Sequence, residues 1–289
     1  MRIFLTGGSG NLGQVLTYHL QKQNDEVVCF DLHKPLDGGQ FIQGSILDRE
    51  QLSNSLKGVD CLVHIAAWHG IHEFTGEKNS YDFWDLNVTG SFNVFQAAVK
   101  AGIKNILLIS SETVLAKESM YGWTKDLTET IAERFVACHK LNVLTLRPRA
   151  FIPYWNKAVY STYLDWARWF WKGAVHINDV AQAVLLGLKL LTSQTLNQQL
   201  ILPVDGAYEY TDCDLDNWNP ELTFKKYYPQ YYELALMHGL DPSVKPIKQD
   251  ISQTIKWLNY QPKYSLANLL QDLAIYGGEG PPINFELNP

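Results

Sequence analysis

Residues 3–13 read Ile3-Phe4-Leu5-Thr6-Gly7-Gly8-Ser9-Gly10-Asn11-Leu12-Gly13, an apolar run that enters a glycine-rich turn. The run reads as a buried strand, and beyond the turn Leu12, Val15, Leu16 and Leu20 recur on one helical face. A helix therefore opens directly after the strand with its first amides aimed back at the strand end, a geometry that binds pyrophosphate. In it Gly7 lets the chain turn sharply, Gly10 lets backbone approach the phosphates, and Gly13 lets the helix pack close to the sheet. Glu26-Val27-Val28-Cys29-Phe30 reads as the next strand and ends at Asp31. A carboxylate there accepts hydrogen bonds from an adenosine ribose and repels a 2′-phosphate, which predicts NAD over NADP. His33-Lys34, just beyond, is the feature that would tolerate such a phosphate.

Working outward, strand-like runs at 2–6, 26–31, 40–43, 60–66, 104–110 and 142–147 alternate with helical segments near 12–23, 48–57, 79–100 and 119–140. Alternation of this kind specifies an α/β chain, a Rossmann-type doubly wound parallel sheet covered on both faces, with ligands beyond the carboxyl ends of the strands. Residues 1–148 are the expected dinucleotide domain. After it the texture changes to aromatics: Phe151, Tyr154, Trp155, Tyr160, Tyr163, Trp166, Trp169, Phe170 and Trp171. Residues 149–289 are thus expected to be mainly a smaller C-terminal substrate lobe, with a helix at 177–192 returning to the sheet and 204–276 completing the lobe. The tail from Gly277, with Pro281-Pro282 and Pro289, reads as irregular.

Bulk properties narrow the function classes. A chain of 289 residues buries a sizeable core without staples, and Cys29, Cys61, Cys138 and Cys213 contain no CxxC pair, so they read as thiols of a reducing, cytoplasmic compartment. A strand that begins at Met1 leaves no room for a cleavable signal, and no apolar run reaches membrane-span length. Net charge is −6 without a lysine or arginine cluster, which argues against nucleic acid or anionic membrane as partner and for a small-molecule substrate.

Chemistry enters at Tyr121 and Lys125, four apart and on one face of a predicted helix. An ammonium beside a phenol favours the phenolate, which predicts a lowered Tyr121 pKa and a general acid/base. Upstream, Ile106-Leu107-Leu108-Ile109 reads as a buried strand that delivers Ser110-Ser111 to the sheet's carboxyl edge.

These residues together resemble the extended short-chain dehydrogenase/reductase family, in its NAD-dependent epimerase/dehydratase branch. The resemblance includes the glycine turn, Asp31, His64-Ile65-Ala66-Ala67, Asn87-Val88-Thr89-Gly90-Ser91, Ser110-Ser111, Tyr121-Gly122-Trp123-Thr124-Lys125 and Leu146-Arg147-Pro148. Val175-His176-Ile177-Asn178-Asp179-Val180-Ala181 and Asp250 through Leu273 also resemble it. It implies that Tyr121 exchanges a proton with a substrate hydroxyl while a hydride moves between that carbon and nicotinamide. Ser111 would hold the same oxygen, and Lys125 would also bind the nicotinamide ribose. The resemblance further places Gly7, Gly10, Asn11, Leu12, Gly13, Asp31, Ser45, Ile46, Ala66, Ala67, Asn87 and Pro148 along the cofactor, and implies a homodimer paired through 79–100 and 119–140, with Phe92, Phe95, Phe135 and Val136 facing either the seam or the sheet.

Departures from the pattern concern the substrate. Ser45 stands where an acidic residue often holds adenine, and Arg149-Ala150 follows Pro148 where an Asn is common. Lys172 stands near the place of a diphosphate-binding arginine, or is a solvated loop lysine. Glu112 occupies the place of a dehydratase acid, but Thr113 replaces that chemistry's base, so elimination is disfavoured. His69 is a candidate substrate contact. No metal is expected, since His69, His72 and Glu73 lie in a loop without fixed ligand spacing. Arg147, Arg149 and Arg168 can grip a carboxylate, and Trp166, Trp169 and Trp171 can stack on a ring or pack the lobe. The preferred expectation is an NAD-dependent oxidoreductase acting on a sugar-like polyhydroxylated alcohol or ketone. The alternatives are a nucleotide-sugar epimerase, less favourably a dehydratase, and a catalytically silent NAD sensor.

Overall fold

The structure is a computed structural model that describes residues 1–36, 38–116, 118–196 and 198–287. Seven strands form one sheet: β1 (Arg2–Thr6), β2 (Glu26–Asp31), β3 (Gln40–Gln43), β4 (Cys61–His64), β5 (Asn105–Ile109), β6 (Asn142–Pro148) and β7 (Leu200–Val204). The helices are α1 (Asn11–Lys22), α2 (Arg49–Ser55), α3 (Gly70–Phe74), α4 (Ser80–Phe83), α5 (Ser91–Ala101), α6 (Met120–His139), α7 (Tyr163–Phe170), α8 (Ile177–Ser193), α9 (Asp212–Asp216), α10 (Pro220–Tyr227), α11 (Tyr232–Met237), α12 (Ser252–Leu258) and α13 (Leu266–Tyr276).

Every strand pairing is parallel, in the order β3-β2-β1-β4-β5-β6-β7. The order reverses between β1 and β4, and the crevice above that point is where a doubly wound sheet takes a dinucleotide. Alternate strand residues feed two cores. Ile3, Leu5, Val63, Leu107 and Leu146 meet α1 and α8, while Phe4, Val28, Leu62, Ile106 and Val143 meet α2, α5 and α6. The predicted helix at 79–100 is three pieces, because a π-helical turn, Trp84–Gly90, joins α4 to α5. Phe95 and Phe135 face the second core, so of the aromatic seam candidates only Phe92 is exposed; Val136 packs partly against the core.

The sheet continues past residue 148. β7 is an edge strand that the sequence reading left without secondary structure, and α8 and α12 pack with it on the sheet layer. The remaining C-terminal residues form a lobe with its own aromatic core, including Tyr163, Trp166, Phe170, Trp171, Phe224 and Tyr228. Trp166 donates to the Ile152 carbonyl at 3.0 Å and Trp171 to that of Asp241 at 2.7 Å, so both are packing residues. A short 3₁₀ turn, Gly277–Glu279, opens the tail, and Pro289 lies outside the described residues.

Candidate active site

The glycine turn is held by backbone contacts that leave no space for side chains. Gly7 has φ +71°, and a Cβ on it would lie 2.8 Å from the Ala66 nitrogen. A Cβ on Gly13 would lie 2.4 Å from the Gly8 oxygen, so Gly13 serves the turn itself, and Gly8 in turn abuts Cys29 of β2. Gly8 thus belongs to the cradle, although the sequence reading gave it no role. At Gly10 a Cβ would meet only the Gly7 oxygen at 3.3 Å, which leaves its other side open. Asp31 accepts from Ser9 N at 3.0 Å and His33 N at 3.2 Å, tying the end of β2 to the turn. Asn11 and Leu12 open α1, which has Gly10 as its N-cap, and Leu12 is buried. Ser45 accepts from Leu47 N at 3.2 Å, Ile46 is buried against Gly90, and Ala66 and Ala67 are half-buried beyond β4. Pro148 is buried at the end of β6, where it pairs with Val204.

Beyond β5, the two serines diverge. Ser110 donates to the buried Glu129, which also receives Arg147 through two nitrogens, at 2.9 Å and 2.6 Å. Ser111 instead lies by Tyr121 and accepts from Thr113 N at 3.2 Å and Thr113 Oγ1 at 2.8 Å. Lys125 is buried, donates to the Ile109 carbonyl at 2.8 Å, and sits with its nitrogen 5.9 Å from the Tyr121 ring centre. Burial lowers Lys125 to about 8 against the opposing pull of Glu129. The same desolvation pushes Tyr121 up to about 12, with the Ser111 hydroxyl pulling the other way. The expectation of a lowered phenol is thus corrected: burial disfavours the phenolate by more than the Ser111 hydroxyl restores.

Asn87 is buried and fully engaged with its neighbours. Its amide accepts from Trp68 N at 2.8 Å and donates to the Trp68 carbonyl at 2.9 Å and Thr124 Oγ1 at 3.0 Å, bracing the loop after β4 against α6. His69 lies in that loop, its ring 4.2 Å from that of His72, and burial lowers it to about 4, with His72 and Lys125 adding to the effect. Among the described residues no three His, Cys, Asp or Glu side chains are placed to hold a metal.

Glu112, Arg149 and Asp205 form a charged cluster. Arg149 is buried, lies 3.6 Å from each carboxylate, and donates to Tyr208 at 3.0 Å and to the Ile247 carbonyl. Gln249 donates to Glu112, whose pKa is raised by burial despite Arg149. Arg168 is exposed beside Asp165 and Lys172 is exposed, so neither joins this cluster.

A profile of the NAD dependent epimerase/dehydratase family matches residues 3–158, more than half of the chain. The chain belongs to that family. Among its relatives, the UDP-N-acetylglucosamine 4,6-dehydratase (inverting) of Campylobacter jejuni is 26% identical over 151 residues, 48% of this chain and 44% of that protein. The L-arabinose 1-dehydrogenase (NAD(P)(+)) of Haloferax volcanii is 27% identical over 177 residues, 50% of this chain and 65% of that one. The chain therefore spans less than two thirds of these relatives' lengths. In structure it is similar to UDP-glucose-4-epimerase from Stenotrophomonas maltophila with bound NAD, with TM-score 0.72, 19% identity and coverage of 96% and 98% of the two chains, a likeness of fold. As in the family, the cofactor is NAD. The residues fit it: the positive φ of Gly7, the open side of Gly10 and the carboxylate of Asp31 are what pyrophosphate and an adenosine ribose require. Among the described residues, no helix of this family member is long and apolar enough to cross a membrane.

Proposed function

We propose that the chain is an oxidoreductase acting on a secondary alcohol or ketone of a neutral, sugar-like substrate. In this reading Tyr121 is general acid and base, Ser111 holds the reacting oxygen, and Lys125 supplies positive charge beside the phenol. The reading rests on the convergence of these three groups beyond β5, at the edge of the crevice with the glycine cradle. NAD, when bound, supplies the two-electron acceptor for the substrate's hydride. Tyr121 takes the hydroxyl proton during oxidation and returns it to the carbonyl oxygen during reduction. A phenol pushed up to about 12 is protonated at neutral pH, so sugar oxidation, in which Tyr121 acts as the base, should speed up as pH rises.

Charge supports the neutral substrate. Arg149 answers two carboxylates, and Arg147 is matched by Glu129, so these arginines have no surplus charge for a uronate. The Haloferax relative is named for a neutral sugar, which supports the same choice. Elimination has no base at Thr113, whose hydroxyl is engaged with Ser111. We also propose a cytoplasmic homodimer: Trp84, Phe92 and Trp123 are exposed on or beside α5 and α6, the free thiols suit a reducing compartment, and sedimentation at twice the chain mass checks the assembly.

The test is incubation with NAD and a panel of neutral sugars, uronic acids and nucleotide-sugars, following NADH and product mass. A neutral sugar should give NADH and a product two hydrogens lighter. Tyr121→Phe should lower turnover roughly 10²- to 10⁴-fold with NAD affinity unchanged. An isomeric product without NADH makes the chain an epimerase, and a fully active Tyr121→Phe overturns the assignment.

A further inference from the structure

The first amides of a helix have no partner within it, and α6 places Tyr121 among them. Ser119 caps locally by accepting from Gly122 N at 3.0 Å. The other two amides are satisfied from far away in sequence, by Glu73 of α3. Its carboxylate accepts from Met120 N at 2.6 Å, Tyr121 N at 3.0 Å and Ser119 Oγ at 2.9 Å. Such bonds are charge-assisted, and a carboxylate at a helix start also complements the helix dipole.

The loop that brings Glu73 to α6 also covers the phenol. A Cβ on Gly70 would lie 3.4 Å from Tyr121 Cδ1, and the loop's other end is held by Asn87 through Trp68 and Thr124. The loop is therefore braced to α6 on both sides of Tyr121. We propose that Glu73 is a positioning residue: it fixes the backbone of Tyr121 and locks the loop bearing His69 over the phenol, so that placing the acid/base and closing the loop are one event. This role rests on the oxidoreductase reading above.

A helix cap that only stabilises would change the melting temperature and leave turnover intact well below it. Glu73→Gln keeps the shape but presents one acceptor and an NH₂ group to three donors. In deuterium exchange the Met120 and Tyr121 amides should be protected in the wild type and exchange at least about tenfold faster in Glu73→Gln, with the interior of α6 unchanged. With NAD and the sugar turned over, kcat should fall about tenfold to hundredfold while the sugar KM and NAD affinity stay within about twofold. Glu73→Asp, which keeps the charge but reaches one methylene less far, should lie between the two. Unchanged exchange, or a kcat within twofold of wild type, overturns the proposal. If Glu73→Gln does not fold, Glu73→Asp decides it, with wild-type kcat as the overturning result. If Tyr121→Phe is fully active the oxidoreductase reading fails by itself, and the exchange of the two amides still decides whether Glu73 holds the helix.

Discussion

Lys125 is an ammonium held where water does not reach it, and its stability cost follows from its titration. The unfolded chain keeps this proton up to the ordinary lysine value of 10.5, the folded chain only up to about 8. Below pH 8 the folded state therefore carries the full cost of a buried cation, about 3 kcal/mol, and it gains stability as pH rises from 8 to 10.5. Lys125→Met removes the charge but leaves the Ile109 carbonyl without its donor, a loss of about 1–2 kcal/mol. The variant should thus be about 1–2 kcal/mol more stable than wild type at neutral pH, should lose the gain between pH 8 and 10.5, and should have lost most of its turnover. Urea unfolding at pH 7 and at pH 10 measures all but the last. A destabilised Lys125→Met would mean that the ammonium is not a burden on the fold. The lysine's spacing from Tyr121 was legible in the sequence, but the direction of the tyrosine's shift was not, because periodicity places side chains on a face and does not report how dry that face becomes.

At the scale of the element, the glycine turn separates two roles that the sequence pattern merges. A Cβ on Gly13 would press on Gly8 carbonyl and Cα atoms at 2.4 to 2.6 Å, and Gly8 has no room to retreat because β2 lies behind it. Gly13→Ala should therefore push α1 off the turn, lowering stability by about 2–3 kcal/mol and weakening NAD binding at the same time. Gly10→Ala meets only one atom, at 3.3 Å, and should leave the urea midpoint nearly unchanged while still weakening NAD binding. Equal loss of stability in both variants would refute the division. The turn, the alternation of strand and helix and the Tyr121–Lys125 spacing could be read from the chain because each is local. β7 could not: Pro203 interrupts Leu200-Ile201-Leu202-Pro203-Val204, and proline usually speaks against a strand. It is tolerated because β7 pairs only with β6, so the missing N–H lies on the sheet's free edge. The work of Asn87 and Glu73 was equally hidden, since their partners are separated from them by 19 to 48 positions.

Across the whole molecule, acid should loosen both halves through two imidazoles. His64 links β1, β4 and α5, with Nδ1 2.7 Å from Thr6 Oγ1 and Nε2 2.8 Å from Ser91 Oγ. His176 joins the sheet layer to the lobe, its ring stacked on Tyr264 at 4.3 Å and its Nδ1 accepting from Asn178 N at 3.2 Å. Burial pushes both down to about 3. The unfolded chain binds these protons near the ordinary value of 6.5 and the folded chain does not, so the contribution of these two groups is fully present above pH 6.5 and is lost as pH drops toward 3. Each imidazole contributes about 1.4 kcal/mol of loss per pH unit within that window. Asp179, raised to about 6 by burial, acts in the opposite sense and offsets about one imidazole between pH 6 and its ordinary value of 3.8. The contribution of a single group is therefore best read as a difference. His64→Gln keeps a donor and an acceptor for Thr6 and Ser91 but cannot take up a proton. Its unfolding free energy from pH 6 to pH 4 should fall less steeply than that of wild type, by about 1.4 kcal/mol per pH unit. Parallel slopes would mean that the folded state accommodates a charged His64 in spite of its burial between the strands and the nearby Lys125.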